Sequence, residues 1–363
     1  MTRILNKKEV FDILSGATFL AAGGGGSYES GERMLAPVMV DGELEVTMCH
    51  PSEMGEDENG SPVFGIGSPK RVTELEFGPE GMVAFDMLEK MAFFQQKTIS
   101  YLISAEYGGF NTALAMLVSI QTGKPFLDTD GSGGRAVPGL DLSLFRLYEI
   151  PVSPITMAER DGDCAIAFTK DPLDATRAEK IVRNFCQPYN SLIGAAAWIC
   201  SKDHCLNSLA AGAYSDAEKV GVAIRNAKEN KLDVVAEIQK VIGESRVLFR
   251  GKILKQNLEV KDGFDWGVTE IEGTDGKTYF IDFKNESMVV RQGEEVVITV
   301  PDMACCVDVD TYLPLTNTET TPGRNIACIA KPAHKNYTEH PRGFEIFRPY
   351  LEGMGYYGER VPY

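Results

Sequence analysis

The stretch PFLDTDGSGGRAVPGL, residues 125 to 140, gathers the densest set of reactive side chains in the chain. Asp128 and Asp130 alternate along an extended segment, so they face one side. Two carboxyls that close favour a cation or hold one shared proton. Arg135 follows across glycines, within reach of the pair or of an anionic ligand that it could clamp. DTDGSG begins like a calcium loop, but Gly139 stands where the bidentate glutamate belongs, and calcium is disfavoured. The alternative is a structural Asp–Arg network inside a buried loop.

Two further segments carry chemistry. In SAEYGGFNTAL (104 to 114), Glu106 ends an apolar run, and Gly108 and Gly109 let the chain turn closely into a helix bearing Asn111. A carboxylate there suits a general base, a metal ligand or an acceptor for a substrate N–H, unless it only caps the helix. In FLAAGGGGSYESGERML (19 to 35), four consecutive glycines precede Ser27. The Walker pattern is absent, and a helix rather than a strand precedes the run, so a nucleotide loop is disfavoured. What remains is a corner in which Gly23 to Gly26 can adopt positive φ and Ser27 can start a helix. Its amides could cradle an anion or a carbonyl oxygen, or the corner could simply let two helices pack tightly.

Cysteine and histidine add less. Cys200, His204 and Cys205 lie within WICSKDHC, but one such cluster without a second does not specify zinc. Cys305 and Cys306 alternate on a strand, so at most one can face any site. A divalent metal such as zinc is compatible with these residue types, although no motif demands it, and the metal question stays open.

These groups need a frame. Helical spacing marks 7–20, 79–96 and 110–123, and strands are expected at 42–49, 98–104 and 125–130. Residues 51–69, rich in Gly, Pro and acid, are expected to form a surface loop leading to a buried turn. The strand–loop–helix–strand order predicts a parallel pair with Glu106, Asp128 and Asp130 at its carboxyl edge, where open α/β sheets bind ligands. After residue 170 the texture changes to amphipathic helices, then from 246 to short strands and turns such as Asp262-Gly263 and the Lys-Asn-Glu-Ser stretch at 284–287. The expectation is a mixed α/β (α+β) protein: an N-terminal α/β domain, 1–170, carrying the glycine-rich loops and the active-site motifs, and a C-terminal domain, 171–363, helical and then β-rich.

Composition narrows the function. A net charge of −16 without a basic cluster opposes nucleic-acid binding. The N-terminus scatters Lys7, Lys8, Glu9 and Asp12 among apolar residues, unlike a signal peptide, and no apolar run reaches a membrane span. A cytoplasmic protein acting on a small molecule, and assembling as a homo-oligomer, is expected.

The motifs LSGATFLAAGGGGS, EYGGFNTAL, PFLDTDGSGGRAVPGL and VPDMACCVDVD, with LFRGKI and DGFDWGVTEIEG, occur in an order that resembles the family once called domain of unknown function 917 and now named for S-methyl thiohydantoin desulfurase. The resemblance runs over nearly the whole chain. It implies a two-part α+β architecture, a cytoplasmic bacterial or archaeal setting and an association with hydantoinase- or oxoprolinase-type enzymes. The implied activity is hydrolytic: water displaces methanethiol from an S-methylated thiohydantoin ring. On that reading Glu106, Asp128 and Asp130 supply base and acid, while Gly24, Gly25, Gly26, Ser27, Gly108, Gly109, Asn111 and Arg135 hold the substrate. A non-catalytic metabolite-binding partner of such an enzyme is the alternative.

Overall fold

A computed structural model describes residues 2–67, 77–189 and 192–363. Two large sheets organise them. The first runs β1 (Arg3–Asn6), β2 (Glu45–Cys49), β5 (Phe126–Asp130), β4 (Thr98–Ser104), β3 (Glu58–Gly67), β8 (Leu192–Ala196), β6 (Ile155–Ala158) and β7 (Cys164–Ala167). Its centre, β2–β5–β4–β3, is parallel and contains the expected parallel pair, β4 and β5, and the flanking pairs are antiparallel. The second is an antiparallel sheet whose β11 (Arg246–Lys261), β12 (Phe264–Gly273), β13 (Thr278–Lys284), β14 (Glu286–Gln292) and β15 (Glu295–Thr299) follow one another as hairpins. β16 (Met303–Asp308), β17 (Pro314–Leu315) and β18 (Asn325–Lys331) complete it. β8 inserts beside β3, and β10 (Ala210–Ala211) pairs with β5, so the chain beyond residue 170 contributes to the first sheet as well.

One expectation is corrected. Residues 58–67 are not a loop but β3, a mostly buried strand near the middle of the first sheet. Its glycines, which look like turn formers, make room for neighbours: a Cβ at Gly65 would lie 2.3 Å from the Phe110 ring, and one at Gly60 2.8 Å from Ile103. Pro62 falls between the pairings of β3 with β9 (Cys200–Ser201) and with β8, where its missing N–H is tolerated.

Helix α1 (Lys7–Leu20) opens with a capping box between Asn6 and Glu9 and leads into the glycine run. Helix α2 (Tyr28–Leu35) starts at Ser27, whose hydroxyl accepts the Ser30 N–H. Helix α3 (Glu80–Phe94) packs on β8 and β6, and α4 (Gly109–Thr122) follows β4 across the parallel layer. The two glycine motifs meet face to face. Gly25 has φ +66° and Gly108 φ +144°; a Cβ on Gly25 would lie 1.9 Å from the Tyr107 carbonyl oxygen, and one on Gly108 2.1 Å from that of Gly25. The Gly26 carbonyl accepts the Gly109 N–H at 2.9 Å, and that of Gly25 accepts those of Phe110 and Asn111 at 3.2 Å each. Backbone from one motif thus caps the helix that begins in the other.

This crossing should tolerate no side chain. Gly108→Ala is expected to cost about 3 kcal/mol of unfolding free energy, from strained φ plus overpacking. Gly353→Ala, with nothing within 4 Å of the added carbon, should stay within about 0.5 kcal/mol of wild type. Urea denaturation of both variants checks the contrast.

Candidate functional site

The carboxyl edge of the parallel strands opens into a cleft. Its walls come from Phe64 to Gly67 at the end of β3, Ala105 and Glu106 beyond β4, Phe110 and Asn111 in the first turn of α4, and the 131–143 loop. The turn between β13 and β14 closes it from the second sheet with Asn285 and Glu286. About 80 Å³ of it admits the centre of a water-sized sphere, a space suited to one small ring.

Glu106 sits at the floor. Its Oε1 accepts the Asn111 Nδ2–H at 2.7 Å, and its Oε2 the Val137 N–H at 2.9 Å. Asn111 is fixed in turn because its Oδ1 accepts the Gly65 N–H at 3.0 Å. Burial outweighs these two hydrogen bonds and pushes the Glu106 carboxyl up to about 7.

Glu286 is the second carboxyl. The turn that carries it is held by Asn285, which has φ +54° and exchanges hydrogen bonds with Asp265 at 2.7 and 2.8 Å. The Ser287 N–H donates to the Ala22 carbonyl at 2.8 Å, tying this turn to the start of the glycine run. Glu286 lies directly over Gly24, where a Cβ would fall 1.8 Å from Oε1. It is buried, and its Oε2 has no hydrogen-bond partner among the described residues. Burial first and the charge of Glu106 second hold Glu286 well above the usual carboxylate range. A buried and a half-buried carboxyl lining one cleft resist double ionisation, so Glu286 stays protonated near neutrality.

The remaining wall is aromatic. Trp198 stacks on Phe145 with ring centroids 4.5 Å apart and lies 5.5 Å from Phe64. Its indole N–H is buried and lacks an acceptor among the described residues, and so do the Gly25 and Gly26 N–H groups on the opposite side. At the rim, Glu179 accepts the Leu140 N–H at 2.6 Å and pairs with Arg183 at 2.8 Å.

The sequence candidates separate into two groups. Glu106, Asn111, Gly25 and Gly26 line the cleft, with Gly24 beneath Glu286. Asp128 and Asp130 do not join them. Asp128 accepts from the Tyr214 N–H at 2.7 Å, the Ser215 N–H at 3.1 Å and the Ser215 hydroxyl at 2.5 Å, anchoring the start of α7 (Ala213–Asn230; α5, Leu144–Leu147, and α6, Ala175–Cys186, precede it). Asp130 folds back onto the Ser132 and Gly134 N–H groups and meets the Tyr214 hydroxyl. The alternation put both carboxyls on one side, and that side faces a helix end rather than the cleft. Arg135 lies behind the cleft, fully buried. Ser27 is spent on its cap, and Gly108 and Gly109 on the crossing.

Cys200 and Cys205 are buried thiols pushed up by burial, and the His204 Nδ1 accepts the Ser201 N–H at 3.3 Å. Cys305 and Cys306 face different cores, as strand alternation requires. No cluster of three or more His, Cys, Asp or Glu with metal-binding geometry occurs among the described residues, and no helix among them is long and apolar enough to cross a membrane. Glu286 and Trp198 were not legible in advance: the first sits in a stretch whose composition marks only a turn, the second in a segment whose cysteines draw attention instead.

The fold and site define a two-sheet α/β protein with an acid pair in a cleft at the carboxyl edge of its parallel strands. A model described as the N-terminal domain of S-Me-THD-like proteins matches residues 8–169, and its C-terminal counterpart matches residues 173–363. The chain belongs to the S-Me-THD-like family, which confirms the resemblance read from the motifs. A crystal structure of a protein from Chromobacterium violaceum is similar over 99% of both chains, with 21% identity and a TM-score of 0.85, and shares the fold. No curated protein matches the chain.

Asp128→Ala should cost about 1–2 kcal/mol, as loss of a helix cap does, and leave ligand binding in the cleft within a few-fold of wild type. Thermal unfolding and calorimetric titration measure the two effects separately.

Proposed function

We propose that the protein is a hydrolase that removes methanethiol from an S-methylated thiohydantoin or a close cyclic relative. The family name points to thiohydantoin-related chemistry. The observation that carries the hydrolytic reading is the pair Glu106 and Glu286: a half-buried carboxyl hydrogen-bonded in place and a buried one with an unpartnered oxygen, both raised above the usual carboxylate range, beside an aromatic wall.

The substrate ring stacks against Trp198 and Phe145, and its carbonyl oxygen accepts from the free Gly25, Gly26 or Trp198 N–H groups. Ionised Glu106 takes a proton from water as the oxygen adds to the carbon bearing sulfur. Protonated Glu286 gives its proton to the ring nitrogen as the C=N bond opens. The tetrahedral carbon then carries OH and SCH3. Glu286 takes the hydroxyl proton, C=O forms, the C–S bond breaks, and Glu106 returns its proton to sulfur. Water and substrate become hydantoin and methanethiol, and both carboxyls regain their starting states. Each proton transfer is worth about 10²–10⁴ in rate.

Release of thiol from an S-methyl thiohydantoin, followed with a thiol-reactive dye, tests the reading. Glu106→Gln and Glu286→Gln should each lower kcat by about 10²–10⁴ while ligand affinity changes only a few-fold. The wild-type kcat/KM should fall on the acid side with a midpoint near 7, where Glu106 takes up its proton. Binding of the S-methyl thiohydantoin without turnover by wild type would overturn the enzyme reading in favour of a metabolite-binding partner of a hydantoinase-type enzyme.

A further inference from the structure

We propose that Asn285 is a substrate-binding residue whose Nδ2–H group donates to the ring carbonyl adjoining the nitrogen that Glu286 protonates. The proposal rests on the hydrolase reading for the identity of the ring, but its test does not require turnover.

Asn285 is the single residue between β13 and β14, with φ +54°, a left-handed conformation that asparagine adopts more readily than most residues. It lines the cleft beside Glu286. Its backbone is fully engaged: the N–H donates to the Asp265 carbonyl at 2.7 Å, and the carbonyl accepts from the Asn317 Nδ2–H at 2.8 Å. Its Oδ1 accepts the Asp265 N–H at 2.8 Å. The side chain thus stands in for a strand carbonyl and carries the pairing of β12 with β13 one residue beyond Trp266 and Lys284.

That bond decides which end of the amide is which. A backbone N–H only donates, so the atom facing Asp265 is the oxygen, and Nδ2 is turned away from it. Nδ2 has no partner among the described residues, and it is the one hydrogen-bonding group of Asn285 left unused. The neighbouring amide side chains are spent. Asn111 is fixed between Glu106 and the Gly65 N–H, and Asn317 donates to the Asn285 carbonyl and to Ser287 Oγ. The clamp on Asp265 uses only the oxygen of Asn285, so the nitrogen is available to a ligand.

The chain order sets the pattern that a ligand must match. Glu286 follows Asn285 directly, is buried and keeps an unpartnered Oε2. In its protonated form it presents an O–H beside the Asn285 N–H, two donors from consecutive residues on one wall of the cleft. An S-methyl thiohydantoin offers two adjacent acceptors, the imine nitrogen and the carbonyl oxygen on the next carbon. That oxygen has two lone pairs, so Asn285 joins the Gly25, Gly26 or Trp198 N–H group there and displaces none of them. The ligand class is a ring whose carbonyl is bonded directly to the reacting C=N nitrogen. A cyclic isothiourea without that carbonyl leaves the Asn285 donor unmatched, and a site built around a hydrogen bond rejects such an analogue.

Calorimetric titration in the Glu106→Gln background, where the ring is bound but not consumed, tests the contact. Two ligands are compared: S-methyl thiohydantoin and its 4-thione analogue, in which sulfur, a weak acceptor, replaces the carbonyl oxygen. Asn285→Gly, which suits the φ of +54°, should weaken the first about 3–10-fold and the second by less than about twofold. Equal weakening of both ligands, the result expected if Asn285 only clamps Asp265, would overturn the proposal, and so would unchanged affinity for both. Should Asn285→Gly not fold, Asn285→Asp decides, since it keeps an oxygen for the Asp265 N–H and loses the donor. It must weaken the carbonyl ligand more than the thione, and an equal loss contradicts the proposal. A protein that shows this preference yet releases no thiol fails the hydrolase reading alone; one that releases thiol but loses both ligands equally fails the proposal alone.

Discussion

Two stretches of backbone cross at Gly25 and Gly108, close enough that a Cβ on either residue would collide with a carbonyl oxygen of the other motif. Much of the site hangs from this crossing. It ends α1, starts α4 by lending it two carbonyl acceptors, and sets Asn111 one turn from Glu106. It also brings Gly24 beneath Glu286, so the second sheet can lower a carboxyl into a cleft built by the first. A run of glycines that could have approached a phosphate instead approaches another chain segment and an acid. Two of its residues, Gly25 and Gly26, line the cleft, and their N–H groups have no acceptor among the described residues.

Electrostatics then gives the cleft its character. Desolvation raises both carboxyls, and a nearby negative charge raises each further: that of Glu179 for Glu106, and that of Glu106 for Glu286. Two hydrogen bonds on Glu106 and none on the buried Oε2 of Glu286 make the members unequal. Unequal acids with separated affinities are what acid–base chemistry at neutral pH requires. The aromatic wall complements this, since a flat ring gains contact area there without presenting charge to the carboxyls.

The sequence disclosed the frame more readily than the site. Helices such as Lys7–Leu20 and Glu80–Phe94 carry long apolar stripes, and the parallel order followed from their alternation with strands. β3 was hidden because its glycines and Pro62 imitate a loop, while tertiary neighbours fill the space they leave. Glu106 was legible because it ends a buried strand ahead of a glycine turn. Asp128 and Asp130 were also conspicuous, yet spacing tells which side of a strand a carboxylate faces and not what lies there; what lies there is the start of α7. Glu286 comes from 180 positions beyond Glu106 in the chain, and only the docking of one sheet on the other brings them together.

The claim that Glu106 and Glu286 share a proton in the folded protein is tested most directly by stability as a function of pH. Both groups bind protons more tightly folded than unfolded, so their favourable contribution is present below about pH 4.5 and is lost as pH rises through about 7. For Glu106 alone the loss is on the order of 3 kcal/mol. The unfolding free energy of wild type should therefore fall from pH 5 to 8 relative to Glu286→Gln, in which position 286 no longer takes up a proton on folding and the decline flattens. Parallel curves for the two proteins across that range would contradict the account.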